Sequence, residues 1–143
     1  MPARITAACL RAGLPAPSGR AGIARCIMDS LAPAYRRAIT NVQELSGRHV
    51  DTIHIVGGGS RNELLCQLTA DACGLPVVAG PAKASAIGNV LVQARSLGAA
   101  PADLPGMRKL LRGTPRLRRF DPAGDSSAWA AAAQRVAERG PGR

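Results

Sequence analysis

Four β-favouring residues, Ile53-His54-Ile55-Val56, run directly into Gly57-Gly58-Gly59, and the chain resumes with leucines at helical spacing from Leu64. That order reads as strand, tight turn, helix, which commits the chain to an α/β layer. Ser60 is expected to cap the helix, with Glu63 three residues on reaching back to the Ser60 amide in a capping box. Three glycines supply positive φ and an uncluttered backbone, and the helix start behind them offers free amides and partial positive charge. The stretch is thus suited to a phosphate or a nucleotide. It is neither of two common nucleotide motifs: Asn62 stands where a dinucleotide fingerprint needs glycine, and Ser60-Arg61-Asn62 is not the Gly-Lys-Ser/Thr of a P-loop. From residue types alone, a turn built only for close packing fits equally well.

The surrounding chain supplies the layer. Residues 1 to 12 are predicted to form a short helix, and Pro15 to Gly19 a connector. From Arg20, Ile23, Ile27, Leu31 and Tyr35 recur every four residues, followed by Ile39, Val42 and Leu45, which predicts a long amphipathic helix ending at Gly47. Pro33 inside it predicts a bend or the first turn of a second helix. Thr52 to Val56 reads as a strand in which His54 is partly buried and hydrogen-bonded. Leu64, Leu65, Leu68 and Ala72 form the buried stripe of the next helix, closed by Gly74, and Pro76 to Ala79 is a short apolar strand. After Gly80-Pro81, Ala84 to Leu97 reads as a helix with Ile87, Val90, Leu91, Ala94 and Leu97 on one face. Two strands alternating with two helices predict a parallel βαβα core with the glycine turn at its carboxyl edge, where open α/β sheets bind ligands.

Beyond Gly98 the periodicity fades through Pro101 and Pro105, leaving Leu110, Leu111 and Leu117 as isolated anchors. Asp125 or Ser126 is expected to cap a last helix, Ser127 to Glu138, with Trp129, Ala133 and Val136 on its apolar stripe and a frayed end from Gly140. The chain divides into an N-terminal remnant and connector (1–19), a nucleotide-binding lobe (20–98) and a C-terminal extension (99–143).

Hydrophobic residues make up 46% of the chain but aromatic ones only 2%, so the core is expected from Ala, Val, Leu and Ile. So few rings argue against a stacking platform for single-stranded nucleic acid. The net charge of +10 is almost all arginine, scattered from Arg4 to Arg143 and dense only between Arg108 and Arg119. A solvated basic surface accounts for it, and a basic nucleic-acid-binding domain is the minor alternative. Cys9, Cys26, Cys66 and Cys73 form no Cys-x-x-Cys pair, and neither His49 nor His54 stands at zinc-ligand spacing, so four reduced core cysteines and a cytoplasmic protein without a metal site are expected. No apolar run approaches the roughly 18 residues of a membrane span. The start is too short in its apolar part for a signal peptide.

In combination, Ile53 to Asn62, Gln67-Leu68-Thr69-Ala70-Asp71-Ala72, Gly80-Pro81 and Ala86-Ile87-Gly88-Asn89-Val90-Leu91-Val92-Gln93-Ala94 resemble the C-terminal lobe of the FGGY carbohydrate kinases, with particular likeness to the branch acting on L-rhamnulose. The resemblance covers most of the chain. It implies an incomplete actin-like ATPase lobe of ribonuclease H-like fold, with ATP or ADP against the glycine turn, magnesium with the nucleotide, and a ketose such as L-rhamnulose in the cleft of the whole kinase. Carried onto this sequence, Gly57, Gly58, Gly59 and Ser60 border the nucleotide, and Asn62 stands near the base. Lys83 departs from the family, which usually has an acidic residue there. No residue matches the family's catalytic aspartate, so no catalytic residue is assigned. The resemblance also implies a chain inactive without the sugar-binding lobe, encoded from an internal methionine or paired with a separate N-terminal half. A non-catalytic nucleotide-binding or interaction module is the alternative.

Overall fold

A computed structural model describes residues 1–112, 117–124 and 126–138. The elements are α1 (Pro2–Arg11), α2 (Gly19–Ser46), β1 (Ile53–Ile55), a 3-10 turn (Gly57–Arg61), α3 (Glu63–Cys73), β2 (Val77–Ala79), α4 (Ala84–Ser96), α5 (Leu104–Leu111), β3 (Arg118–Phe120) and α6 (Ser126–Glu138). β1 and β2 are parallel, with Ile53 opposite Val77 and Ile55 opposite Ala79, as the βαβα pattern requires. β3 lies antiparallel on the far side of β2, Phe120 opposite Val77 and Arg118 opposite Ala79. Sequence reasoning saw neither β3 nor α5.

α3 is the centre of the molecule. One face, with Cys66 and Ala70, packs on Val77 and Ala79 of β2 and on Ile53, Ile55 and Phe120. The opposite face, with Leu68 and Ala72, meets Ala32 and Met28 of α2 and Trp129 of α6. Small side chains let these elements approach closely, so the core is built from alanine and cysteine as much as from large aliphatics. The predicted stripe is partly wrong: Cys66, Leu68, Thr69, Ala70 and Ala72 are buried, whereas Leu64 is exposed. A helix sandwiched between two layers buries more than one stripe.

α2 is a single helix through Pro33, so Pro33 does not open a second helix there. A mid-helix proline costs about 3 kcal/mol, but Ala32 and Pro33 are the two buried residues of α2, Ala32 packed with Leu68 and Ala72 of α3 and Pro33 near Ala132 and Ala133 of α6, so packing offsets the lost hydrogen bond. The expected isoleucine stripe is at best half-buried, and Leu45 is 89% exposed because the last turns run past α3. α1 meets α2 with the sulfurs of Cys9 and Cys26 3.8 Å apart. All four cysteines are free, but only Cys66 is fully buried. His54 is exposed rather than partly buried, since it occupies the outward position of β1. The caps expected at Asp125 or Ser126, the Val136 side chain and the end from Gly140 lie outside what is described.

Candidate functional site

The parallel pair is locked together beyond its strands. Gly80 N–H donates to the Ile55 carbonyl at 2.8 Å, and Gly57 N–H donates to the Pro81 carbonyl at 3.1 Å, across a cis Gly80–Pro81 peptide. This fixes the glycine turn at the carboxyl edge of the sheet. Of the three glycines only Gly57 has positive φ, at +75°, so the expectation that all three supply it is corrected. A Cβ at Gly58 would meet no atom within 4 Å, and one at Gly59 would touch only Ile55 at 3.6 Å. Neither position needs glycine for the fold. Both leave backbone open for close approach from outside.

The cap lies two residues later than the sequence suggests. The chain continues as a 3-10 turn through Arg61, which draws Ser60 inside; it is 9% exposed, and its Oγ donates to the Gly57 carbonyl at 2.7 Å. Asn62 is the true N-cap, its Oδ1 accepting from Leu65 N–H at 3.1 Å, while its Nδ2 donates to Met28 Sδ at 3.3 Å. The Ser60–Glu63 capping box therefore does not form. A base edge arriving at Asn62 meets an amide already engaged at both ends. All five residues carried over from the family, Gly57, Gly58, Gly59, Ser60 and Asn62, thus lie in one turn, with Ser60 facing inward.

Glu63, freed from the capping box, forms an ion pair and hydrogen bond with Arg118 of β3. The guanidinium holds the Glu63 carboxyl below its ordinary pKa, first through the hydrogen bond and then through charge, and Glu63 raises Arg118 in return. Beneath them, burial pushes up the thiol of Cys66. The pair edges a pocket of about 290 Å³ between the turn and the end of β2, lined also by Ser60, Arg61, Gly80 and Ala82. Arg118 was the functional candidate that sequence reasoning missed. The dense basic run was visible, but only the pairing of β3 with β2 carries this arginine to the turn. On the other side of the turn, Tyr35, Ile39, Ile53, Val56 and Leu65 line an apolar groove of about 350 Å³.

A family profile described as the FGGY family of carbohydrate kinases, C-terminal domain, matches residues 1–97. The chain belongs to that family. Among similar FGGY proteins, the rhamnulokinase of Bacteroides thetaiotaomicron is 49% identical over 124 residues, covering 87% of this chain and 25% of the relative. The rhamnulokinases of Klebsiella pneumoniae strain 342 and Pectobacterium carotovorum are 46% and 45% identical, over 88% and 82% of this chain and 26% and 24% of their own lengths. The chain is an FGGY C-terminal domain close to rhamnulokinase and spans about a quarter of the length of these relatives. The family carries the actin-like ATPase fold, to which the small mixed sheet and its helices conform. Lys83, the departure from the family pattern, occupies the N-cap position of α4 without a side-chain cap bond. Among the described residues no helix is long and apolar enough to cross a membrane.

Proposed function

We propose that the chain is the nucleotide-binding part of a kinase that transfers the γ-phosphate of ATP to the 1-hydroxyl of L-rhamnulose, with the nucleotide against Gly57, Gly58, Gly59 and Asn62. The relatives' name supports the reaction class and the sugar. The observation that carries the nucleotide reading is the open backbone at Gly58, where the fold itself has no use for glycine. Phosphoryl transfer rests on positioning and charge stabilisation from both sides of a cleft, and this chain offers one side. Among the described residues no group of three His, Cys, Asp or Glu side chains could hold a metal ion, so no ligand set or step is assigned to magnesium here. The 143-residue chain alone is expected to bind nucleotide without turning over sugar.

The test pairs calorimetric titration of ADP with thermal melting for the wild type and Gly58→Val. Since an added side chain enters open space at ordinary φ, stability should stay within about 1 kcal/mol while ADP binding is lost. Unchanged affinity in the variant would return the turn to a packing role. ADP release from Mg-ATP and L-rhamnulose above background, in a pure preparation, would refute the inactivity of the chain alone.

A further inference from the structure

The pocket beside the turn holds two guanidinium groups, Arg61 and Arg118, against one carboxylate, Glu63. Its floor is small: Ala79 and Gly80 are buried and Ala82 adds one methyl group, so an incoming group meets little bulk. Arg118 is placed by the β2–β3 register, which sets it opposite Ala79, and by the Phe120 ring, whose centroid lies 5.4 Å from the guanidinium. Glu63 is placed by its position at the start of α3. The two side chains are 54% and 61% exposed, so their pairing is solvated and easily exchanged. A guanidinium fork suits phosphate oxygens as well as it suits a carboxylate, and a phosphate carries more charge.

We propose that Arg118 is a phosphate-binding residue of this pocket and that Glu63 is its built-in competitor, released when a phosphate group takes the guanidinium. This rests on the nucleotide reading above and adds the residue that recognises the charged end of the ligand. Glu63 occupies Arg118 in the free protein, so the pocket selects for groups that outcompete a single carboxylate. Anion affinity is therefore set by the difference between two pairings. Removing the two partners should move affinity in opposite directions, which a purely structural ion pair would not do.

The experiment titrates the full chain calorimetrically with ADP, adenosine and inorganic phosphate, comparing wild type, Glu63→Gln and Arg118→Gln, with melting curves to confirm folding. Glu63→Gln should tighten ADP several-fold, and Arg118→Gln should weaken it on the order of tenfold, the size of one charge-assisted hydrogen bond. Adenosine should be unaffected by either change. Phosphate binding that follows the same pattern, with no added gain from the nucleoside, would support the anion site with free phosphate as its ligand. Glu63→Gln leaving ADP affinity unchanged or weaker, with wild type binding ADP, would overturn the proposal while leaving the nucleotide reading intact. Wild type binding neither ADP nor adenosine would overturn the nucleotide reading and this inference with it. If Arg118→Gln unfolds β3, the sign of the Glu63→Gln effect still decides.

Discussion

α3 and α4 follow successive strands of one parallel pair and show similar apolar periodicity, yet their surroundings are opposite. α3 buries five residues between the sheet and the α2–α6 layer. α4 buries none; Ile87, Leu91 and Ala94 are half-buried, Val90 is 64% exposed and Leu97 83%. Its contact with every other element is marginal. The correction to the predicted buried face of α4 follows from this. An apolar stripe records that a helix is suited to a partner; it does not say that the partner belongs to the same stretch of chain. α3 has its counterpart layer within these residues, whereas α4 has only marginal contacts with the other described elements.

The largest expected effect tests that contrast directly. Leu68→Ala should cost about 2–5 kcal/mol, as for a buried leucine whose cavity cannot collapse, while Val90→Ala should stay within about 0.5 kcal/mol, as for an exposed position. Chemical denaturation of both variants reads the difference. A comparable loss at Val90 would mean that α4 is packed in solution.

A smaller effect concerns the caps. Asn62→Ala removes the side chain that bonds Leu65 N–H and should cost about 1 kcal/mol. Lys83→Ala, at the corresponding position of α4, removes no cap bond and should change stability by less than about 0.5 kcal/mol. Equal losses in thermal melts would show that the two helix starts are not different in kind.

A further effect is a slope with pH. Near the end of α3, burial pushes the Cys73 thiol up to about 11, with Arg36 opposing, against 9.0 for the ordinary group. The unfolded chain gives up this proton first, so the contribution is complete below pH 9.0 and is lost as pH rises towards 11. Cys73→Ala should flatten the decline in melting temperature across that window. α4 contains no cysteine to produce the same signature.

These contrasts also mark how far the sequence could be read. The strand-turn-helix, the parallel pair and the glycine ends of α2 and α3 were legible because each is set by a few neighbouring residues; Gly47 and Gly74 do take the left-handed conformation. Ser60 against Asn62 was not, since either can cap and only the continuation of the 3-10 turn through Arg61 decides between them. α5 carried its own signal, Asp103 before Leu104-Pro105, where Asp103 Oδ1 accepts from Gly106 N–H at 2.6 Å, but the two prolines masked it. β3 carried none. Two arginines and a phenylalanine become a strand only because β2 has an unpaired edge. Of the site, the glycine turn was visible locally, while the Glu63–Arg118 pairing depends on a contact between residues 55 positions apart.

The segment after β3 is fastened to α3 by two polar contacts. Gln67 Nε2 donates to the Asp121 carbonyl and Ala123 N–H donates to Asp71 Oδ1, across separations of 54 and 52 positions, while Gln67 Nε2 also donates to Asp71 one turn along α3. Loop-closure entropy rises only logarithmically with length, by about 0.6 kcal/mol for each doubling. Two long-range hydrogen bonds of about 1 kcal/mol each outweigh such an increment. The stretch from α4 to β3 can therefore gain or lose residues with little thermodynamic consequence, provided that its two ends keep their seats on α3.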